Sequence, residues 1–117
     1  MKQAFSKLHA ARIRRLIKAL RSGEYTQCKG RLRKADTFCI GGVACDLYRK
    51  SVYGKKANSY WSDNCFMSSG HASIGIIPSN VVSYFGIDMV MYTRKNDDGW
   101  SFARLARHLE KHLEKYS

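Results

Sequence analysis

A stripe of apolar side chains near the C-terminal end constrains the fold of this chain more than any other feature of its sequence. After Ser101, apolar side chains recur every three or four positions, which is the period of an α-helix with one buried face. They are Phe102, Leu105, Ala106, Leu109, Leu113 and Tyr116. Ser101 is a favourable N-cap residue for this helix. The sequence therefore predicts an amphipathic C-terminal helix that buries its apolar face against a core.

A second apolar stripe, near the start of the chain, predicts another helix. Between Lys2 and Arg21 the apolar residues that share one helical arc are Phe5, Ile13, Leu16, Ile17 and Leu20. Basic side chains occupy the opposite face and its flanks, and they are Lys7, Arg12, Arg14, Arg15, Lys18 and Arg21. Ser22 and Gly23 follow and are suited to end the helix. The sequence therefore predicts a basic N-terminal helix.

The next segment predicts a small basic hairpin and a buried helix. Short β-permissive runs flank Lys29-Gly30, which is a weaker hairpin signal than Asn-Gly. The basic residues around this turn are Lys29, Arg31, Arg33 and Lys34. In residues 39–50, apolar side chains recur at helical spacing and predict a buried helix, although Gly41 and Gly42 weaken its start.

The middle of the chain shows weaker signals. Residues 51–76 are rich in Ser, Gly, Asn and Tyr and have no clear period, which indicates a long loop. One short strand is predicted at 72–77. Pro78 suits the first turn of a short helix, and Gly86 suits its left-handed C-terminal position.

Two further signals precede the last helix. Residues 89–93 predict a strand, and residues 95–99 combine Asn, Asp and Gly as turns do. Together the elements predict an α+β fold with a basic N-terminal helix, a small β hairpin or sheet and two or three further helices, including the amphipathic C-terminal one. A chain of 117 residues, 44% of them hydrophobic, fits one core, so residues 1–117 are expected to form a single domain.

The sequence also bears on where the protein resides. No apolar run approaches the ~18 residues that a membrane span needs, and the basic start lacks the apolar region of a secretory signal. We therefore expect a cytosolic protein. Cytosolic thiols stay reduced, so the four cysteines are expected to act as small buried hydrophobic residues. They are Cys28, Cys39, Cys45 and Cys65.

The distribution of charge is more informative than the net charge of +12. Residues 1–56 contain 15 Lys and Arg against three acidic residues, whereas residues 57–117 contain six of each kind. Such asymmetry creates a localised positive potential and accelerates encounters with polyanions. The residues expected to bind a macromolecule are Lys7, Arg12, Arg14, Arg15, Lys18, Arg21, Lys29, Arg31, Arg33 and Lys34.

Six short motifs follow one another along most of the chain. They are Leu20-Arg21-Ser22-Gly23, Tyr25-Thr26-Gln27, Leu32-Arg33, the segment 38–47, the segment 77–87 and the segment 96–102. Their order resembles a family of small uncharacterised phage and prophage proteins. Gly41-Gly42 departs from the leu-gly step of that family, and Tyr84-Phe85-Gly86 replaces its trp-x-gly core. The resemblance implies a phage origin and a shared fold, and it brings no established activity or ligand.

Two kinds of chemistry compete with a purely binding role. Cys39 precedes a predicted helix and His71 lies in a predicted strand, an arrangement that faintly resembles papain-like hydrolases of the NlpC type, although the asp-cys-ser-gly signature is missing. The four cysteines and His71 include soft zinc ligands, but no close cysteine pair sets up a structural site. We therefore expect neither catalysis nor a metal, and no cofactor.

The sequence leads to two binding hypotheses. The first is a non-enzymatic phage accessory protein that acts in the bacterial host cytoplasm, in host takeover or anti-defence, by binding an acidic host protein or nucleoprotein complex. The alternative is nonspecific binding of DNA or RNA. Lys and Arg side chains would contact its phosphates, and its bases would stack on aromatic rings. The aromatic residues considered are Tyr25, Tyr48, Tyr53, Tyr60 and Trp61. A membrane partner is not expected.

Overall fold

The computed structural model describes residues 7–116, and the side chains of residues 7–114. These residues form six helices and six strands. The helices are α1 (Lys7–Arg21), α2 (Ile40–Lys50), α3 (Val52–Lys56), α4 (Ser79–Phe85), α5 (Met89–Asp97) and α6 (Phe102–Tyr116). The strands are β1 (Thr26–Gln27), β2 (Arg33–Lys34), β3 (Thr37–Phe38), β4 (Tyr60–Ser62), β5 (Cys65–Ser68) and β6 (His71–Ser73). The α+β class is confirmed, with five helices after the first instead of two or three.

The two helices predicted most firmly pack against each other. The apolar faces of α1 and α6 meet, and Ile13, Leu16, Leu105 and Leu109 are completely buried. Ser101 caps α6 as predicted, since its Oγ accepts a hydrogen bond from the Arg104 N–H at 3.1 Å. The predicted contributions of Phe5 and Tyr116 lie outside the described side chains. One cluster of buried apolar residues therefore joins both ends of the described chain.

The predicted hairpin at Lys29-Gly30 is wrong. Strands β2 and β3 do form an antiparallel hairpin, but its turn lies at Ala35-Asp36, where Ala35 has a φ of 55°. Strand β1 pairs parallel to β3, so residues 28–32 form the connection between β1 and β2 instead of a tight turn. The Gly30 N–H donates to Asp97 Oδ1 at 2.9 Å, which holds this connection against the end of α5.

The predicted long loop at 51–76 and the predicted strand at 89–93 are also wrong. The first segment contains α3 and the antiparallel meander β4-β5-β6, which includes only part of the predicted strand at 72–77. Ser69 and Gly70 both have positive φ, as a two-residue hairpin turn requires. The segment after Asp88 is α5, because Met89, Tyr92 and Asn96 recur at helical spacing and are buried.

Helix α4 confirms the prediction made from Pro78 and Gly86. It spans Ser79–Phe85, directly after Pro78, and Gly86 ends it with a φ of 72°. Within the described part of the chain, no helix is both long and apolar enough to cross a lipid bilayer.

The two glycines at the start of α2 differ in whether a larger residue could replace them. A Cβ atom at Gly42 would overlap the backbone carbonyl of Leu32, and that carbonyl accepts the Cys39 N–H at 3.1 Å. A Cβ atom at Gly41 would meet only side-chain atoms, of Thr93 at 2.9 Å and Leu32 at 3.0 Å. Gly42 is therefore required for the close approach of the chain to α2, whereas a methyl group at Gly41 would displace side chains and no backbone.

We expect Gly42→Ala to lower the free energy of unfolding by about 3 kcal/mol, because backbone must move to admit the methyl group. Gly41→Ala is expected to lower it by less than Gly42→Ala does, since only side chains must shift and alanine has the better helix propensity. Urea unfolding of both variants tests this difference. Equal effects of the two substitutions would contradict it.

Candidate functional site

The outer face of α1 carries exposed cations. Lys7 and Arg14 are seven residues apart, and Arg14 and Lys18 are four apart, so all three point away from the buried face of the helix. Arg15 lies on the flank of that exposed face. Each of the four is exposed, and none of the ion pairs found among residues 7–114 involves any of them. These four side chains, which we call the α1 basic face, therefore present uncompensated charge to solvent.

Arg21 belongs to the same stripe but has a structural partner. Its guanidinium donates two hydrogen bonds to the carboxylate of Glu110 on α6, at 2.7 and 2.8 Å. The hydrogen bonds from Arg21, and then the charges of Arg21 and Arg107, lower the pKa of Glu110. Arg107 thus lies beside this pair and adds a cation next to α1, an extension that the sequence analysis missed because it followed charge along the chain only.

Arg12 turns toward the protein instead of toward solvent. Its guanidinium carbon lies 3.9 Å from the centre of the Tyr84 ring and 5.2 Å from that of Tyr53. One of its nitrogens donates a hydrogen bond to the Tyr84 carbonyl at 2.8 Å. Arg12 therefore connects α1 to α4 as well as contributing charge.

Arg12 forms one wall of an open groove of about 360 Å³ between α1, the end of α2, α3 and α4. We call it the Arg12 groove, and it is lined by Leu8, Ala11, Arg12, Arg15, Lys50, Ser51, Val52, Tyr53 and Tyr84. Three of its apolar side chains are unusually exposed: Leu8 by 54%, Val52 by 63% and Tyr53 by 53%. Sequence reasoning found Arg12 and Arg15 but did not find Leu8, Lys50 or Tyr84.

A second depression, of about 400 Å³, lies beside the groove and shares Lys50 with it. We call it the Asp46 cleft, and it is lined by Glu24, Tyr25, Arg33, Phe38, Asp46, Arg49, Lys50 and Trp61. The Arg33 guanidinium lies over its aromatic wall, 5.4 Å from the ring centre of Phe38 and 5.5 Å from that of Trp61. Two basic depressions therefore meet at the C-terminal end of α2, where cations also suit the helix dipole.

The nearly buried carboxylate of Asp46 organises this cleft. It accepts hydrogen bonds from the Tyr25 hydroxyl at 2.6 Å, from the Trp61 ring N–H at 3.0 Å and from Arg49 at 2.8 and 3.0 Å. The Lys50 ammonium lies 3.4 Å away. Burial alone would raise the pKa of Asp46, but the hydrogen bonds from Tyr25, Arg49 and Trp61 lower it below its ordinary value.

The remaining basic residues predicted to bind a partner lie elsewhere. The loop that carries Lys29 and Arg31 is held at the start of α2, through the Leu32 carbonyl and Asp97. Lys50 is at the other end of this 11-residue helix, about 15 Å along its axis. Lys34 is exposed on β2. The structure thus brings Arg12 and Arg15 together with Lys50 and places Lys29 and Arg31 apart from them.

The aromatic residues considered for base stacking differ in availability. Tyr48 is buried, and the polar groups of Tyr25 and Trp61 are bound to Asp46. Tyr53 and Tyr60 are exposed, and of these two only Tyr53 lines the groove.

The alternative catalytic pair is poorly placed for chemistry. Cys39 is 3% exposed, and burial raises the pKa of its thiol to about 11. His71 is exposed at the start of β6, opposite Ser68 of β5. No hydrogen bond joins Cys39 to His71 within the described residues. A thiol in this state is protonated at neutral pH, which is the opposite of what a cysteine nucleophile requires.

The cysteines do not assemble a metal site. All four are free thiols, with Cys39 and Cys45 buried and Cys28 and Cys65 half-buried. Residues 7–116 contain no cluster of three or more His, Cys, Asp or Glu side chains able to hold a metal ion.

Comparison with known proteins identifies the family to which the chain belongs. A family model described as Domain of unknown function (DUF8296) matches residues 10–92, which is most of the chain. The chain belongs to this family. No match was found among curated proteins or among solved structures. The matched region extends from α1 into α5 and includes the whole Asp46 cleft and all of the Arg12 groove except Leu8.

We expect Asp46→Asn to lower the free energy of unfolding by about 2 kcal/mol at neutral pH, because charge-assisted hydrogen bonds in the cleft are weakened. The pKa of Asp46 is depressed in the folded state, so its contribution is full above the unfolded value of 3.8 and is lost as the pH falls through the folded value. The deficit of the variant should therefore shrink in acid.

Glu110→Gln provides the matched control, since it also removes one carboxylate but from an exposed pair, and little loss of stability is expected. Urea unfolding across a pH series measures both variants. A deficit in Asp46→Asn that stays constant into acid would show that the lost stability does not come from the carboxylate charge.

Proposed function

We propose that this chain is a non-enzymatic, phage-encoded accessory protein that binds an acidic macromolecule of the bacterial host, in the cytoplasm, and alters its activity. The observation that carries the proposal is the α1 basic face: Lys7, Arg14, Arg15 and Lys18 are exposed on one helix and lack carboxylate partners among residues 7–114. Charges held this way retain their full attraction for an anionic surface.

The surroundings of α1 strengthen its field. Arg107 adds a cation where α6 meets α1, and Arg12 and Lys50 add two more at the groove. The nearby carboxylates of Glu110 and Asp46 are bound by arginines and do not neutralise the α1 basic face. An acidic partner would therefore be drawn to α1 from a distance and would gain orientation from the charge asymmetry of the chain.

The state of Cys39 supports a binding role over hydrolysis. A buried thiol whose pKa is raised to about 11 is a poor nucleophile, and His71 lies on a different element without a hydrogen bond to it within the described residues. A role in binding therefore explains the exposed side chains more simply than hydrolysis by Cys39 and His71 does.

Direct nucleic-acid binding is the second candidate, and one observation favours it. Tyr53 exposes about half of its side chain beside Arg15 and Lys50, so one base could stack on its ring while phosphates contact the cations. The two candidates differ in the partner that binds tightly at physiological salt.

A polyanion titration tests the proposal. Fluorescence anisotropy with labelled polyglutamate should show binding at low salt, and reversal of three charges in Lys7→Glu/Arg14→Glu/Lys18→Glu should weaken it at least about tenfold. The matched control Lys29→Glu/Arg31→Glu/Lys34→Glu changes the net charge equally and should weaken binding much less. Failure of polyglutamate to bind, or equal loss in the two variants, would refute the proposal.

Oligonucleotides separate the two candidates in the same assay. Single-stranded and duplex DNA should bind the wild type no more tightly than polyglutamate at physiological salt. Tighter binding of DNA, with affinity that falls log-linearly with salt, would instead support the nucleic-acid alternative.

A further inference from the structure

We propose that the Arg12 groove is a docking site for an acidic amphipathic segment of a partner protein. The segment seats apolar side chains in the groove and places carboxylates on Arg12, Arg15 and Lys50. This inference rests on the proposed function and specifies the chemistry of the partner. It also explains why the groove exposes the apolar side chains of Leu8, Val52 and Tyr53, which attraction between charges alone does not.

The groove brings together several exposed apolar side chains. Leu8, Val52 and Tyr53 each expose more than half of their side chains, and they come from α1 and α3 to line a single depression. Contiguous exposed apolar groups with a polar rim are typical of sites that bind another protein. Burial of these side chains against a partner would supply favourable energy that the free protein does not realise.

The positive charge of the groove requires a negatively charged partner. Arg12, Arg15 and Lys50 line it, and no acidic side chain from residues 7–114 does. The Lys50 ammonium contacts Asp46, but Arg49 contacts the same carboxylate, so two cations share one negative charge. The groove thus keeps a net positive charge and is complementary to carboxylates beside apolar side chains.

Arg12 is held in place before a partner arrives. Stacking on Tyr84 and the 2.8 Å hydrogen bond to the Tyr84 carbonyl fix its guanidinium at the wall of the groove. A fixed guanidinium loses less conformational entropy on binding a carboxylate than a free one does. The groove is therefore partly preorganised for an anion.

The composition of the groove favours a protein segment over single-stranded nucleic acid. Arg12 lies over the ring of Tyr84 at 3.9 Å, which leaves Tyr53 as the exposed ring among the lining residues. Leu8 and Val52 offer aliphatic surface, which packs against aliphatic and aromatic side chains but provides no platform for successive bases. A second copy of this chain is disfavoured as occupant because its net charge is +12.

Two synthetic peptides test the proposal. The first is a 16-residue peptide of glutamates with leucine or phenylalanine at every third or fourth position, and the second has serine at those positions. Anisotropy should show the amphipathic peptide binding at least about tenfold more tightly than the serine peptide. Equal affinities would overturn the docking proposal while leaving binding to polyglutamate, and so the proposed function, intact.

Variants at exposed positions locate the site. Leu8→Ser and Tyr53→Ser should each weaken the amphipathic peptide about fivefold or more and leave polyglutamate binding unchanged. Val90→Ser is the apolar control, because Val90 is also exposed but lies on α5 outside the groove. Arg15→Glu should weaken the amphipathic peptide more than Arg14→Glu does, since Arg15 lines the groove and Arg14 does not. Thermal unfolding confirms that each variant is folded.

Three further results would overturn the docking proposal. One is equal loss of peptide affinity in the groove variants and their controls. Another is oligothymidylate binding that Leu8→Ser and Tyr53→Ser abolish, which would make the groove a nucleic-acid site. The third is concentration-dependent dimerisation, measured by analytical ultracentrifugation, that the same two substitutions remove. Absence of binding by both peptides and by polyglutamate would refute the proposed function as well.

Discussion

The side-chain amide of Asn96 is the contact on which the arrangement of the other elements depends. It is completely buried, and its oxygen accepts the Ile40 N–H at 3.0 Å and the Gln27 amide at 2.9 Å, while its nitrogen donates to the Cys28 carbonyl at 2.8 Å. Gln27 in turn accepts the Phe102 N–H at the start of α6. Because buried amides are costly when unpaired, this network holds β1, α2, α5 and α6 in one geometry.

Helix α2 determines where Lys50, at its last turn, lies on the protein surface. Its first turn is fixed by Asn96 and by the approach of Leu32 over Gly42, so the position of its last turn is fixed too. That last turn carries Lys50, which both depressions share. The α1 basic face adjoins the groove through Arg15, and the exposed side chain of Tyr53 lies on α3, just after α2. The position of the proposed binding surface thus depends on how the first turn of α2 is held.

The sequence predicted the elements whose signals are local and missed those that depend on distant partners. Helical periodicity identified α1, α2 and α6, and Pro78 and Gly86 marked the two ends of α4. A β-permissive composition concealed α5, and Asn96 looked like part of a turn. The groove could not be foreseen, since the hydrogen bond from Arg12 to Tyr84 spans 72 residues of sequence. The motifs behind the resemblance to phage proteins contain Asn96, Gln27, Tyr25 and Asp46, which hydrogen-bond to one another in pairs, so those motifs maintain the fold.

The central claim is that folding gathers uncompensated cations on α1 and beside it, and that an acidic partner is proposed to bind there. Backbone amide chemical shifts followed by NMR during a titration with polyglutamate test it most directly. The account predicts that the largest changes fall on α1 and on Lys50 at the end of α2. Changes concentrated in the Lys29–Arg31 loop, or spread evenly over the protein, would contradict it.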